Sequence, residues 1–95
     1  MNFTFTYRNL ESSSALESAV KDGLIKTRKV INSAIDVHCV FTVEGYRHEV
    51  ELTVRGAGRD FVAHDSSDDM YKAASGATNK LEKQIFKHFD KVRSH

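Results

Sequence analysis

Four lysines recur near the end of the chain, Lys80, Lys83, Lys87 and Lys91, at spacings of three, four and four. At about 100° and 1.5 Å per residue, a helix places all four within roughly 80° of arc, in a row about 16 Å long. Such a row of ammonium groups is complementary to the regularly spaced charges of a phosphate backbone. The same pattern also fits an ordinary solvated helix face. A second basic group, Lys21 to Lys29, carries four Lys/Arg against Asp22 alone, whereas Asp60 to Asp69 carries four Asp and no Lys or Arg. The net charge of +1 argues against binding polyanions through bulk charge, so local patches have to carry any such role.

Other reactive side chains form no constellation. The five histidines, His38, His48, His64, His88 and His95, belong to different predicted elements, and no pair has the i, i+4 spacing of helical metal ligands. His38 and Cys39 are adjacent on a predicted strand and so point to opposite faces. Cys39 is the single cysteine, which excludes an internal disulfide and leaves a core thiol as its reading. Gly56-Ala57-Gly58 lies between two predicted strands and opens no helix, so it reads as a hairpin turn, not as a phosphate loop. Glu49 and Glu51 share a strand face, but their alternation with Arg47, Thr53 and Arg55 fits a solvated sheet surface better than an acid/base pair. The sequence implies no enzyme, no metal and no cofactor. His88, at the edge of the apolar stripe of the last helix, suits either semi-buried packing or an RNA contact. Phe86 and Phe89 read as the edge of the core, with base stacking by Phe86 as the sharper alternative.

The elements that must position these residues follow from periodicity. Asn2 to Tyr7 alternates, with Phe3, Phe5 and Tyr7 on one side, and predicts a half-buried strand. Ser12, Ser13 and Ser14 are N-cap candidates, with Ser14 and Glu17 spaced as a capping box. The stripe Leu16, Ala19, Val20 and Leu24 predicts a helix running to about Val30, weakened by Gly23. Ile35 to Glu44 and Tyr46 to Arg55 predict two strands of an antiparallel hairpin, and Arg59 to His64 a short fourth strand. A final helix is expected from an N-cap at Ser66 or Ser67, with Asp68 and Asp69 in its first turn. Its apolar stripe, Met70, Ala74, Ala77, Leu81, Ile85 and Val92, is centred about 150° from the lysine row. The order β-α-β-β-β-α predicts a two-layer α+β fold. Ninety-five residues correspond to a single domain over 1–95 with one core. The opening residues do not read as a signal peptide, and no apolar run approaches the ~20 residues of a membrane span. A reducing, cytoplasmic setting is the expectation.

The segment Asp69-Met70-Tyr71, followed by Asn79-Lys80-Leu81-Glu82-Lys83-Gln84 and Lys87-His88, resembles the C-terminal helix of ribosome hibernation promoting factors, a family that includes the ribosome-associated inhibitor and the sigma-54 modulation proteins. Val43-Glu44, Arg47-His48 and Glu51-Leu52 are similar too, as are Asn9 and Ala15-Leu16. The likeness covers nearly the whole chain, and the length is that of the family's short form. It implies a four-stranded sheet with two helices on one face, similar to double-stranded RNA-binding domains. It implies binding of the 30S subunit and 16S rRNA in the mRNA/tRNA channel, silencing of translation in stress or stationary phase, and pairing of 70S ribosomes into inactive 100S dimers together with a ribosome modulation factor. The protein itself would be a monomer off the ribosome. Carried over by position, the RNA-facing residues are Lys80, Lys83, Lys87, His88 and Lys91, with Lys26 and Lys29 on the first helix as a weaker match. Gly23 and the small Ala74, Ala77 and Thr78 depart from the family's pattern, which bears on the core and leaves the lysine row intact. The rival readings are a generic RNA-binding module of the same fold and a protein-interaction domain using the acidic Asp60–Asp69 edge.

Overall fold

A computed structural model describes residues 1–31 and 35–93. Four strands, β1 (Asn2–Arg8), β2 (Asp36–Glu44), β3 (Arg47–Gly56) and β4 (Arg59–Ser67), form one sheet in the order β1-β2-β3-β4. β1 and β2 are parallel, which requires a crossover, and helix α1 (Ser14–Gly23) supplies it. β2–β3 and β3–β4 are antiparallel hairpins closed at Glu44↔Arg47 and Gly56↔Arg59. The second turn holds Ala57 and Gly58 at φ 56° and 71°, the pattern of a type I′ turn, whose twist matches that of the strands it joins.

Alternation sends Val37, Cys39, Phe41, Val50, Leu52, Val54, Phe61 and Ala63 to one face, where all are buried. Phe3, Phe5 and Tyr7 extend this face over β1, with Phe5 and Tyr7 stacked against Phe41 at ring-centroid distances of 6.0 and 5.1 Å. Both helices cover this face. α1 lies over the β1 side, where the Tyr7 hydroxyl donates to Glu17 Oε2 at 2.6 Å and Lys21 Nζ sits 5.6 Å from the Phe3 ring centroid. Helix α2 (Met70–Arg93) packs over β3 and β4 with Met70, Ala74, Ala77, Leu81 and Ile85 buried. The expected α+β architecture is the observed one. The Val92 side chain lies outside the described residues.

Element ends depart from the expectations. The N-cap of α1 is Ser13, not Ser14; its hydroxyl accepts from Leu16 N at 3.2 Å, leaving Glu17 to hold Tyr7. α1 stops at Gly23, and Ile25–Lys29 forms a five-residue 3-10 helix where the α-helix was expected to run on to about Val30. Two contacts explain the break. A Cβ on Gly23 would lie 2.9 Å from Thr78 Cβ, so the bare glycine lets α1 press on α2. The buried Thr27 hydroxyl then donates to Leu24 O at 2.6 Å, drawing that carbonyl out of an α ladder. The small residues Ala74, Ala77 and Thr78 belong to the same economy of space: all are buried beneath or beside this crossing. β4 runs on to Ser67, well past His64, and the cap of α2 is Asp69, whose carboxylate accepts from Tyr71 N at 2.7 Å and Lys72 N at 3.3 Å.

Candidate nucleic-acid interface

Burial of the Met70–Ile85 stripe fixes the rotation of α2 and turns Lys80, Lys83 and Lys87 outward. Lys80 and its neighbour Gln84 run along the free edge of β4. Lys80 Nζ donates to His64 O at 3.3 Å, and Gln84 Nε2 donates to Val62 O at 2.9 Å. These side chains cap outward carbonyls of an edge strand, which would otherwise be open to pairing with another chain. Lys80 is also held by Asp65 at 3.2 Å. Gly76 makes this possible, because a Cβ there would collide with the Asp65 carboxylate. Lys80 is therefore a tethered, partly neutralised cation, whereas Lys83 and Lys87 are exposed and, among the described residues, form no ion pair.

His88 is half-buried. Its ring packs edge-on against Phe61 at 5.7 Å and against Phe89 at 5.1 Å, so the packing role holds whatever else the residue contacts. Phe89 also packs on Phe61 at 6.5 Å, at the edge of the core, and Phe86 is half-buried. Lys91 lies in the last turns of α2, and its side chain is outside the described residues. Lys26 and Lys29 are exposed on the 3-10 helix, which packs against α2. They belong to the segment that continues α1, whereas Lys80 reaches the β4 edge. The structure thus brings Lys80, Lys83, Lys87 and His88 onto one rim and puts Lys26 and Lys29 on another.

A further basic side chain stands on the first rim. Arg59 opens β4 directly after the type I′ turn, and its guanidinium carbon lies 5.3 Å from the Phe61 ring centroid. Nothing in its local sequence separates it from other strand arginines; only the docking of α2 brings Lys87 and His88 to it.

Elsewhere the polar groups are structural. Cys39 is fully buried, and burial, reinforced by the Glu17 charge, pushes its thiol up to about 12, so it is no nucleophile. Burial and the hydrogen bond to Glu17 also raise the Tyr7 hydroxyl above its usual range. Glu49 pairs with Arg47 at 3.2 Å on the open face of the sheet. Among the described residues there is no group of three or more His, Cys, Asp or Glu placed to hold a metal ion, and no helix is long and apolar enough to cross a membrane.

The model of the family described as sigma 54 modulation protein / S30EA ribosomal protein matches residues 3–93. The chain belongs to this family. It is 30% identical over 95 residues, all of both chains, to the ribosome hibernation promoting factor of Escherichia coli. It is 26% identical over 91 residues to that of Azotobacter vinelandii, covering 96% of this chain and 85% of the relative. Among solved structures, a ribosomal subunit interface protein from Coxiella burnetii superposes with a TM-score of 0.80 at 27% identity, over 93% of this chain and 97% of the other. The N-terminal domain of Thermus thermophilus Protein Y gives a TM-score of 0.81 at 23% identity, over 90% and 96% of the two chains, which shows the shared fold. This membership of the ribosome hibernation family agrees with the resemblance read from the last helix.

Proposed function

We propose that this protein is a ribosome hibernation factor: a non-enzymatic, cytoplasmic plug that binds the small ribosomal subunit in the channel used by mRNA and tRNA and silences translation under stress or in stationary phase. The observation that carries the reading is the full-length relation to ribosome hibernation promoting factors. The exposed basic rim of α2 gives it a physical means. Lys83 and Lys87, with Lys80, His88 and Lys91 along the same helix, face 16S rRNA phosphates, and Lys26 and Lys29 contact RNA from the second rim. Recognition is of backbone and shape, without base reading. Four phosphate contacts give a fall of log affinity with log salt at a slope of about −3 to −4. Promotion of 100S dimers, with a ribosome modulation factor, is the regulatory outcome of the same binding.

The test is sucrose-gradient sedimentation of purified ribosomes with the wild-type protein and with a Lys80/Lys83/Lys87→Glu variant. Wild-type protein is expected to travel with 30S and 70S particles and the variant to stay at the top; a 100S peak would add the dimerising role. Wild-type protein left at the top of the gradient at low salt overturns the reading in favour of a protein-interaction domain. Equal retention on free duplex RNA and on ribosomes would instead reduce it to a generic RNA-binding module.

A further inference from the structure

We propose that Arg59 and Lys87 form a two-cation clamp for a single RNA phosphodiester at the β3–β4 hairpin end of the molecule. This extends the contact surface from α2 to the sheet, and it rests on the ribosome-binding reading above.

The observations are local. Arg59 and Phe61 are two residues apart on β4, so both project toward the helical layer. Phe61 is buried and serves as a platform: the Arg59 guanidinium lies over its ring at 5.3 Å, and His88 meets the same ring edge-on at 5.7 Å. Lys87 precedes His88 on α2 and lines, with these residues, Asp60 and Gln84, a shallow cleft of about 260 Å³.

The charges in this cleft are unbalanced. Its one acid among the described residues, Asp60, is engaged by Arg55 Nε at 3.4 Å. Gln84 has its amide group committed to the Val62 carbonyl. Arg59 and Lys87 form no ion pair among the described residues. Among the described residues, two cations therefore face this opening against one carboxylate, which Arg55 already engages.

The chemistry favours a phosphodiester. A guanidinium offers a planar fork of N–H donors that fits two phosphate oxygens, and Lys87 adds a mobile point charge. Stacking on Phe61 holds the guanidinium by its face while its donor edges stay free, so less side-chain freedom is lost on binding. The cleft also continues the line of Lys83 and Lys87 along α2, so a strand of RNA following that rim would place its next phosphate here.

The experiment measures binding of purified small ribosomal subunits by wild type, Arg59→Ala, Arg59→Lys and Lys83/Lys87→Glu across a salt series. Arg59→Ala is expected to weaken binding about tenfold and to make the log–log salt slope shallower by about 0.7–0.9, the loss of one phosphate. Arg59→Lys should restore the slope but only part of the affinity, because it keeps the charge and loses the fork. Wild-type affinity and slope in Arg59→Ala, with Lys83/Lys87→Glu defective, would overturn the clamp and leave the ribosomal reading standing. Weaker binding with an unchanged slope would also overturn it, since the partner would then be a ribosomal protein group. Failure of the wild type to bind small subunits would overturn both.

Discussion

Replacing Asp65 with Asn should tighten ribosome binding, because Asp65 is the residue that holds one of the four lysines back. Lys80 Nζ lies 3.2 Å from the Asp65 carboxylate, with side-chain exposures of 57% and 30%. A pair this exposed contributes about 0–1 kcal/mol to stability, so Asp65→Asn should fold normally. Asn also keeps the shape that fits against Gly76. The change removes a negative charge from the rim and releases the Lys80 ammonium for a phosphate. Lys80, shared with Asp65 in the wild type, then engages its phosphate in full, which steepens the salt slope by up to about 0.7–0.9. Between about 50 and about 200 mM salt the variant should therefore lose up to about threefold more affinity than the wild type loses, while binding more tightly than wild type at the lower end. The double variant Asp65→Asn/Lys80→Ala should return to the wild-type slope, since cation and anion leave together. The assay is equilibrium binding to purified small subunits at several salt concentrations, with thermal unfolding as the control for folding. An unchanged slope in Asp65→Asn, or weaker binding at low salt, would refute the idea that this ion pair restrains Lys80.

Two further outcomes test the packing. Gly23→Ala should destabilise the domain by about 1–2 kcal/mol, because a clash with Thr78 outweighs the helix propensity gained by Ala. Its melting temperature, followed by circular dichroism, should fall by about 5–15 °C, and a value at or above wild type would show that α1 does not press on α2 there. For Cys39 the sign of the pH dependence follows from its raised pKa. The unfolded thiol ionises near its ordinary value of 9.0 and the folded one only at about 12. The unfolded state thus binds fewer protons in this window, and stability that is fully present below pH 9 is lost between there and about 12. Denaturant titrations across this range should show a loss of up to about 1.4 kcal/mol per pH unit from this group. Cys39→Ala should lack that part of the slope, while the part due to Tyr7, whose pKa is likewise raised, should remain.

What the sequence determined by itself was whatever depends on neighbours along the chain. Phe3, Phe5 and Tyr7, and Val37, Cys39 and Phe41, mark their strands by period two, and Met70, Ala74, Ala77, Leu81 and Ile85 mark α2 by its helical stripe. The outward aim of Lys80, Lys83 and Lys87 follows directly, because burying one face of a helix exposes the other. The glycines of the two hairpin turns were equally legible, since a left-handed backbone has few occupants. The tertiary structure decided everything that depends on residues meeting through space. The spacing to Glu17 favours Ser14 as the cap, but Tyr7 takes Glu17 and Ser13 accepts from Leu16 N instead. Gly23 is bare because Thr78 lies against it. Asp65 tethers Lys80 across 15 positions because Gly76 leaves room for its carboxylate. Arg59 joins Lys87 only because α2 docks along β4 and sets Phe61 between the turn and the helix. Local periodicity fixes which face of an element is buried; which charges then stand free depends on the side chains that packing sets beside them.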